Sequence, residues 1–186
     1  MSSSKISTML AEKYKKEVVP KFMKEFGKKN PMAVPRIGKV VVNVGIGRIR
    51  DEKTQEMIQK ALVLITGQKP SPRPARVAIS AFKTRKGLII GYMTTLRGRR
   101  MYDFLERLIG AAFPRTRDFR GIDEKSFDDK GNLTIGVKEH IVFPEMVGED
   151  VRHIFGLEVT VVTTARKRNE GIALLRMMGF PIKGLA

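Results

Sequence analysis

The residues of this chain best placed to do chemistry are its cations and the polar side chains beside them. From Met57 to Tyr102 there is no Asp or Glu, while Lys60, Lys69, Arg73, Arg76, Lys83, Arg85, Lys86, Arg97, Arg99 and Arg100 all fall inside that span. A solvated surface normally mixes signs, because like charges within a Debye length of about 8–10 Å repel one another. One-signed charge over such a length suits a polyphosphate partner that neutralises it. Asn43, Gln68, Ser80, Thr84, Thr94 and Thr95 lie among or beside these cations, and each can bond a phosphate, a ribose hydroxyl or a base edge. Phe82 alone would read as a core residue, but its neighbours Lys83 and Arg85 move it to the rim, where an aromatic ring stacks on a base. The chemistry is recognition, of RNA more than of duplex DNA.

Other chemistries find little support. Gly45-Ile46-Gly47-Arg48 follows an apolar run as a nucleotide-binding loop would, but the third glycine of that fingerprint is missing. No Walker A spacing occurs, and His140 and His153 stand in no metal-ligand spacing. Asp128-Asp129 and Glu149-Asp150 sit in polar loop sequence, where turn chemistry accounts for them. The expectation is therefore a non-enzymatic binding protein with no cofactor and no metal.

Composition agrees. The chain has 186 residues, 36 Lys and Arg against 19 acidic residues, and a formal net charge of +17, with a pI near 10.4. A hydrophobic fraction of 42% is enough for a folded core, so the excess charge belongs to a folded surface. There are no cysteines, which removes disulfides and thiolate sites together. Residues Met1 to Thr8 lack the apolar run of a signal peptide and no stretch approaches a membrane span, so the expected compartment is the cytoplasm, without a membrane partner.

The elements that must position these side chains follow from periodicity. Ile6, Met9, Leu10, Tyr14, Val18, Phe22 and Phe26 predict an amphipathic helix kinked at Pro20 and ended by Gly27, with residues 1–8 as a loose end. Val40 to Val44 predicts a strand interrupted by Asn43. Asp51 as N-cap and Ile58, Ala61, Leu62 and Ile65 predict a helix that stops at Gly67. Strands are predicted at Val77 to Ala81 and Leu88 to Leu96, joined by a basic turn, with residues 71–87 as a proline-stiffened arm. Met101 to Ala112 predicts a helix ending before Pro114, Asn132 to Val137 and Val159 to Thr164 two more strands, and Ile172 to Met178 a last helix. Interleaved helices and strands with a hairpin make the fold class α+β in one domain spanning 1–186.

The motifs carry a resemblance. Lys39-Val-Val-Val-Asn43-Val-Gly45-Ile-Gly47, Ile65-Thr-Gly-Gln68-Lys-Pro70, Ile79-Ser-Ala-Phe82-Lys-Thr-Arg85-Lys-Gly87, Thr95-Leu-Arg97-Gly98, Pro114-Arg-Thr-Arg-Asp-Phe-Arg-Gly121 and Lys138-Glu-His-Ile-Val-Phe-Pro-Glu145 occur in order between about Tyr14 and Pro181. In this the chain resembles the bacterial ribosomal protein L5 family. The resemblance implies an antiparallel sheet with helices on one face and RNA on the other, in the central protuberance of the large ribosomal subunit. It implies 5S rRNA and 23S rRNA as partners, a loop reaching the P-site tRNA, and a contact with small-subunit protein S13. Carried across position by position, the 5S rRNA contacts would be Asn43, Gln68, Phe82, Thr95 and Arg97, with Lys83 and Arg85 on phosphates. Arg73 and Arg76 would lie in the tRNA-contact loop.

Two departures stand out. Pro72-Arg73-Pro74-Ala75-Arg76-Val77 replaces a Thr-Arg-Ala-Lys-Lys run usual in the family, which puts the tRNA-loop contacts in question. Arg166-Lys167-Arg168 replaces an acidic cap, which costs the last helix about 0.3–1 kcal/mol through its dipole unless phosphate neutralises the triplet.

Overall fold

The computed structural model describes residues 9–49, 51–82, 84–148 and 153–183, with Phe82 described by its backbone alone. Five strands form one antiparallel sheet: β1 (Ile37–Gly45), β2 (Ser71–Pro74), β3 (Ile89–Leu96), β4 (Leu133–Val137) and β5 (Leu157–Thr163). Their order across the sheet is β2-β3-β1-β5-β4. The β-branched run of β1 therefore takes the central place, paired on both edges. Among the described residues four longer helical segments, besides short 3-10 turns, accompany the sheet: α1 (9–25), α2 (Glu52–Thr66), α3 (98–115) and α4 (Arg168–Met178).

Strand parity sorts the two faces. Val40, Val42 and Val44 of β1, Tyr92 and Leu96 of β3, and Val159 and Val161 of β5 are buried in a core shared with Phe22, Ile58, Leu62, Phe104 and Leu174 from the helices. Since successive side chains point to opposite faces, Val41, Asn43, Met93, Thr95, Glu158 and Thr160 share the other face, which no helix of the described residues covers. The fold is thus α+β, with its helices on one side of one sheet.

Helix ends obey the local signals. The Asp51 carboxylate accepts the Thr54 amide at 3.0 Å and its hydroxyl at 2.6 Å, and the hydroxyl bond above all holds that carboxyl below its usual range. Gly67 and Gly179 end α2 and α4 in the left-handed conformation that a side chain resists. The last helix does not lack a negative charge. Lys167 offers no side-chain cap, but Glu170 in the first turn accepts the Arg166 amide at 3.4 Å and pairs with Lys28 at 2.9 Å. Arg168 turns inward to the Glu124 carbonyl at 2.7 Å.

The structure corrects the sequence reading at its prolines. The helix predicted to stop before Pro114 continues through it to Arg115, and a π-turn at Leu108–Ala112 comes directly before. The same device precedes Pro20, where Tyr14–Val18 is a π-turn. A proline cannot donate to the carbonyl four residues back and its ring crowds it, and widening the preceding turn relieves both. The predicted strand at Val77 to Ala81 is absent: the partner of β3 is Ser71–Pro74, and Ile79 makes only an isolated bridge with Thr84. Two prolines are tolerated there because β2 is an edge strand, and their two-residue spacing puts both missing donors on the outward edge. The projecting part of the arm is thus 76–87, closed at its base by the Ala75 amide on the Leu88 carbonyl (2.8 Å) and the Gly87 amide on the Ala75 carbonyl (2.9 Å).

Candidate nucleic-acid interface

Asn43 sits in the middle of the helix-free face, with Met93 opposite it on β3 and Glu158 opposite it on β5. Two residues along β1, Val41 lies between Thr95 and Thr160. Asn43 and Thr95 are both half-buried, which leaves each polar end in reach of a ligand laid on the sheet. Gln68 arrives from the turn after α2, where the Thr66 hydroxyl donates to the Leu62 carbonyl at 2.6 Å with the Gln68 carbonyl 3.1 Å away. Its side-chain amide nitrogen then donates to the Thr95 carbonyl at 3.4 Å, so the α2 turn is tied to the end of β3 beyond its pairing with β2.

Arg97 follows the last residue of β3 and is exposed as the N-cap of α3. Arg99 and Arg100 follow it in the first turn, which holds no acidic residue. A helix N-terminus already presents free amides and positive potential, so three arginines there favour a phosphate. The sequence set Arg97 among the expected 5S rRNA contacts, but Arg99 and Arg100 stood there only as part of the charge run.

Arg73 projects from β2 onto the same face, with a guanidinium nitrogen 3.5 Å from the Met93 sulfur. The structure therefore brings Asn43, Gln68, Thr95, Arg97 and Arg73 to one side of the sheet and its margin. Arg76 and Arg85 are exposed in the 76–87 tip instead, Arg85 beside a concavity lined by Ile46, Ile49, Gln55 and Leu88. Lys83 and the Phe82 side chain lie outside the described residues.

The histidine singled out in the sequence is structural. His140 is buried and stacked on Phe155 at 3.9 Å, and its Nδ1 accepts the Phe155 amide at 3.3 Å. Burial holds its pKa below the ordinary imidazole value.

A sheet backed by helices on one side, bare on the other, with neutral polar side chains at its centre and arginines at its margin, is the build of a structural RNA-binding protein. Comparison with known families gives the particular case. Residues 30–85 match the family described as ribosomal protein L5, and residues 89–182 match the family described as the C-terminus of that same ribosomal protein. The large ribosomal subunit protein uL5 of Halothermothrix orenii is 49% identical over 175 residues, covering 94% of this chain and 98% of that protein. The uL5 proteins of Dictyoglomus turgidum and of Anaeromyxobacter sp. strain Fw109-5 are also 49% identical, over 94% and 96% of this chain. The chain belongs to the ribosomal protein L5 family.

Proposed function

We propose that this protein is a structural constituent of the large ribosomal subunit that holds 5S rRNA on the open face of its sheet. As a ribosomal protein of this family it is a scaffold component, not a catalyst. The observation that carries the reading is the gathering of Asn43 and Thr95 on a sheet face that no described helix covers, with the Gln68 side-chain amide and Arg97 at its edge. Neutral donors and acceptors at the centre suit ribose hydroxyls and unpaired bases, while Arg97, with its planar fork, suits a phosphate oxygen pair. Arg85 and Lys83 would take further phosphates, and Phe82 a stacked base. The rest of the basic surface is available to 23S rRNA. The 76–87 tip, with Arg76 at its base and Arg73 on the adjoining strand, would reach the P-site tRNA, and this protein would contact small-subunit protein S13 at an intersubunit bridge.

The direct test is binding of 5S rRNA in competition with duplex DNA across a salt series. Preference for 5S rRNA, with affinity falling by several decades between low and physiological salt, is the expected result, because each neutralised phosphate releases counterions. Equal affinity for both nucleic acids, or affinity indifferent to salt, would sink the reading.

A further inference from the structure

We propose that the open face carries a subsite for one unpaired guanine base, with Glu158 as the residue that selects it; this rests on the reading of that face as the 5S rRNA surface. Beside Asn43 lies a depression of about 480 Å³ that includes Gly45, Gly136, Gly156, Lys138 and Glu158. Glu158 is exposed on β5 and stands opposite Asn43 on one side and Gly136 on the other. Cross-strand neighbours at such positions have Cβ atoms about 4.5–5.5 Å apart, so a single planar base can touch both side chains.

The floor is low because glycine makes it so. A Cβ at Gly45 or Gly136 would meet nothing within 4 Å, so neither glycine is required by packing. Gly156 differs, since a Cβ there would come within 3.1 Å of the Val137 carbonyl and 3.2 Å of the Lys138 carbonyl. Without side chains at 45 and 136, peptide planes lie open for a flat ring.

A carboxylate in this position is out of keeping with phosphate binding, because it repels a polyanion. Among the described residues no ion pair occupies it. Its two oxygens are acceptors only, and they match a ligand with two adjacent donors. Among the bases only guanine presents such a pair on its Watson–Crick edge, N1–H beside the N2 amino group. Cytosine and adenine offer one amino group each, and uracil one N–H between two carbonyls. Lys138, at the same depression, can balance the nearby phosphate charge.

The test uses the full chain and 5S rRNA transcribed with a little inosine phosphorothioate in place of guanosine, which removes the N2 amino group at random positions. Bound and unbound transcripts are cleaved with iodine and compared. For the unaltered protein, inosine is expected to be depleted from the bound fraction at a discrete position. Glu158→Gln, which has only one acceptor, should lose that signal and bind about tenfold or more weakly. Gly136→Val fills the depression in a strand that favours valine, so it should weaken binding while the unfolding midpoint stays level or rises. The proposal is overturned if inosine leaves binding unaffected, or if the pattern is the same with Glu158→Gln. It is also overturned if Glu158→Gln binds more tightly, as removal of a bystander anion would cause, or weakens binding only through Mg²⁺ without an inosine signal. Absence of any 5S rRNA binding by the unaltered chain would instead bring down the functional reading beneath it.

Discussion

Gly131 and Gly171 meet backbone to backbone: a Cβ on Gly171 would lie 2.3 Å from the Gly131 carbonyl oxygen, and one on Gly131 would lie 2.8 Å from the Gly171 Cα. This contact seats the first turn of α4 on the turn before β4, where Thr163 also donates its hydroxyl to the Gly131 carbonyl at 3.0 Å. Alanine in a helix interior normally gains close to 1 kcal/mol over glycine. Gly171→Ala is expected to reverse that sign and cost about 1–3 kcal/mol, because backbone must move to admit the methyl group. Urea unfolding measures it, and an unchanged or higher midpoint would show that the two segments separate freely.

At the open face, Asn43→Ala and Arg97→Ala should each weaken 5S rRNA binding by about 1–3 kcal/mol. Neither side chain belongs to the core, so stability should change by less than about 0.5 kcal/mol. Filter binding and chemical unfolding on the same preparations separate the two effects. Full affinity in both folded variants would place the RNA elsewhere.

Deleting Pro72 to Ala78, which the sequence invites as removal of an arm, would remove most of edge strand β2. A charge reversal at the tip is the cleaner probe. Arg76→Glu should leave 5S rRNA affinity within about twofold, since Arg76 lies beyond the sheet face, yet weaken P-site tRNA retention on ribosomes carrying it through repulsion of phosphate. Retention equal to that of unaltered ribosomes would remove the tip from the tRNA contact.

Burial of His140 makes stability depend on pH in a stated direction. Its folded pKa is depressed, so between that value and the unfolded value near 6.5 the unfolded chain binds more protons. The stability from neutral His140 is present above about pH 6.5 and is lost as pH falls toward the folded pKa. Unfolding followed at pH 7.5 and pH 5.0 should show this loss in the unaltered protein and a smaller one in His140→Gln. Equal losses would assign the acid sensitivity to other groups.

Much of the fold was legible because its causes are local. Asp51 caps α2, Gly67 and Gly179 stop their helices, and the two-residue period of β1 puts Val40, Val42 and Val44 in the core and Asn43 on the opposite face. The acid-free cationic span likewise needs only sequence to be seen. Pairing needs the whole chain. Nothing near Ser71-Pro72-Arg73-Pro74 announces a strand, and it becomes one only because β3 presents an unpaired edge that prolines can occupy. At Pro20 the π-turn arises where apolar residues on both sides of the proline, Val18 and Phe22, are held to the core, so that helix deforms rather than ends. Glu158 meets Asn43 only because β5 lies beside β1, a contact between residues 43 and 158 that residue type and spacing cannot specify. Composition and periodicity determined that this chain is a basic α+β protein whose one-signed charge suits a polyphosphate partner. Tertiary structure decided which of its side chains share a surface, because strand order and register are set by long-range burial.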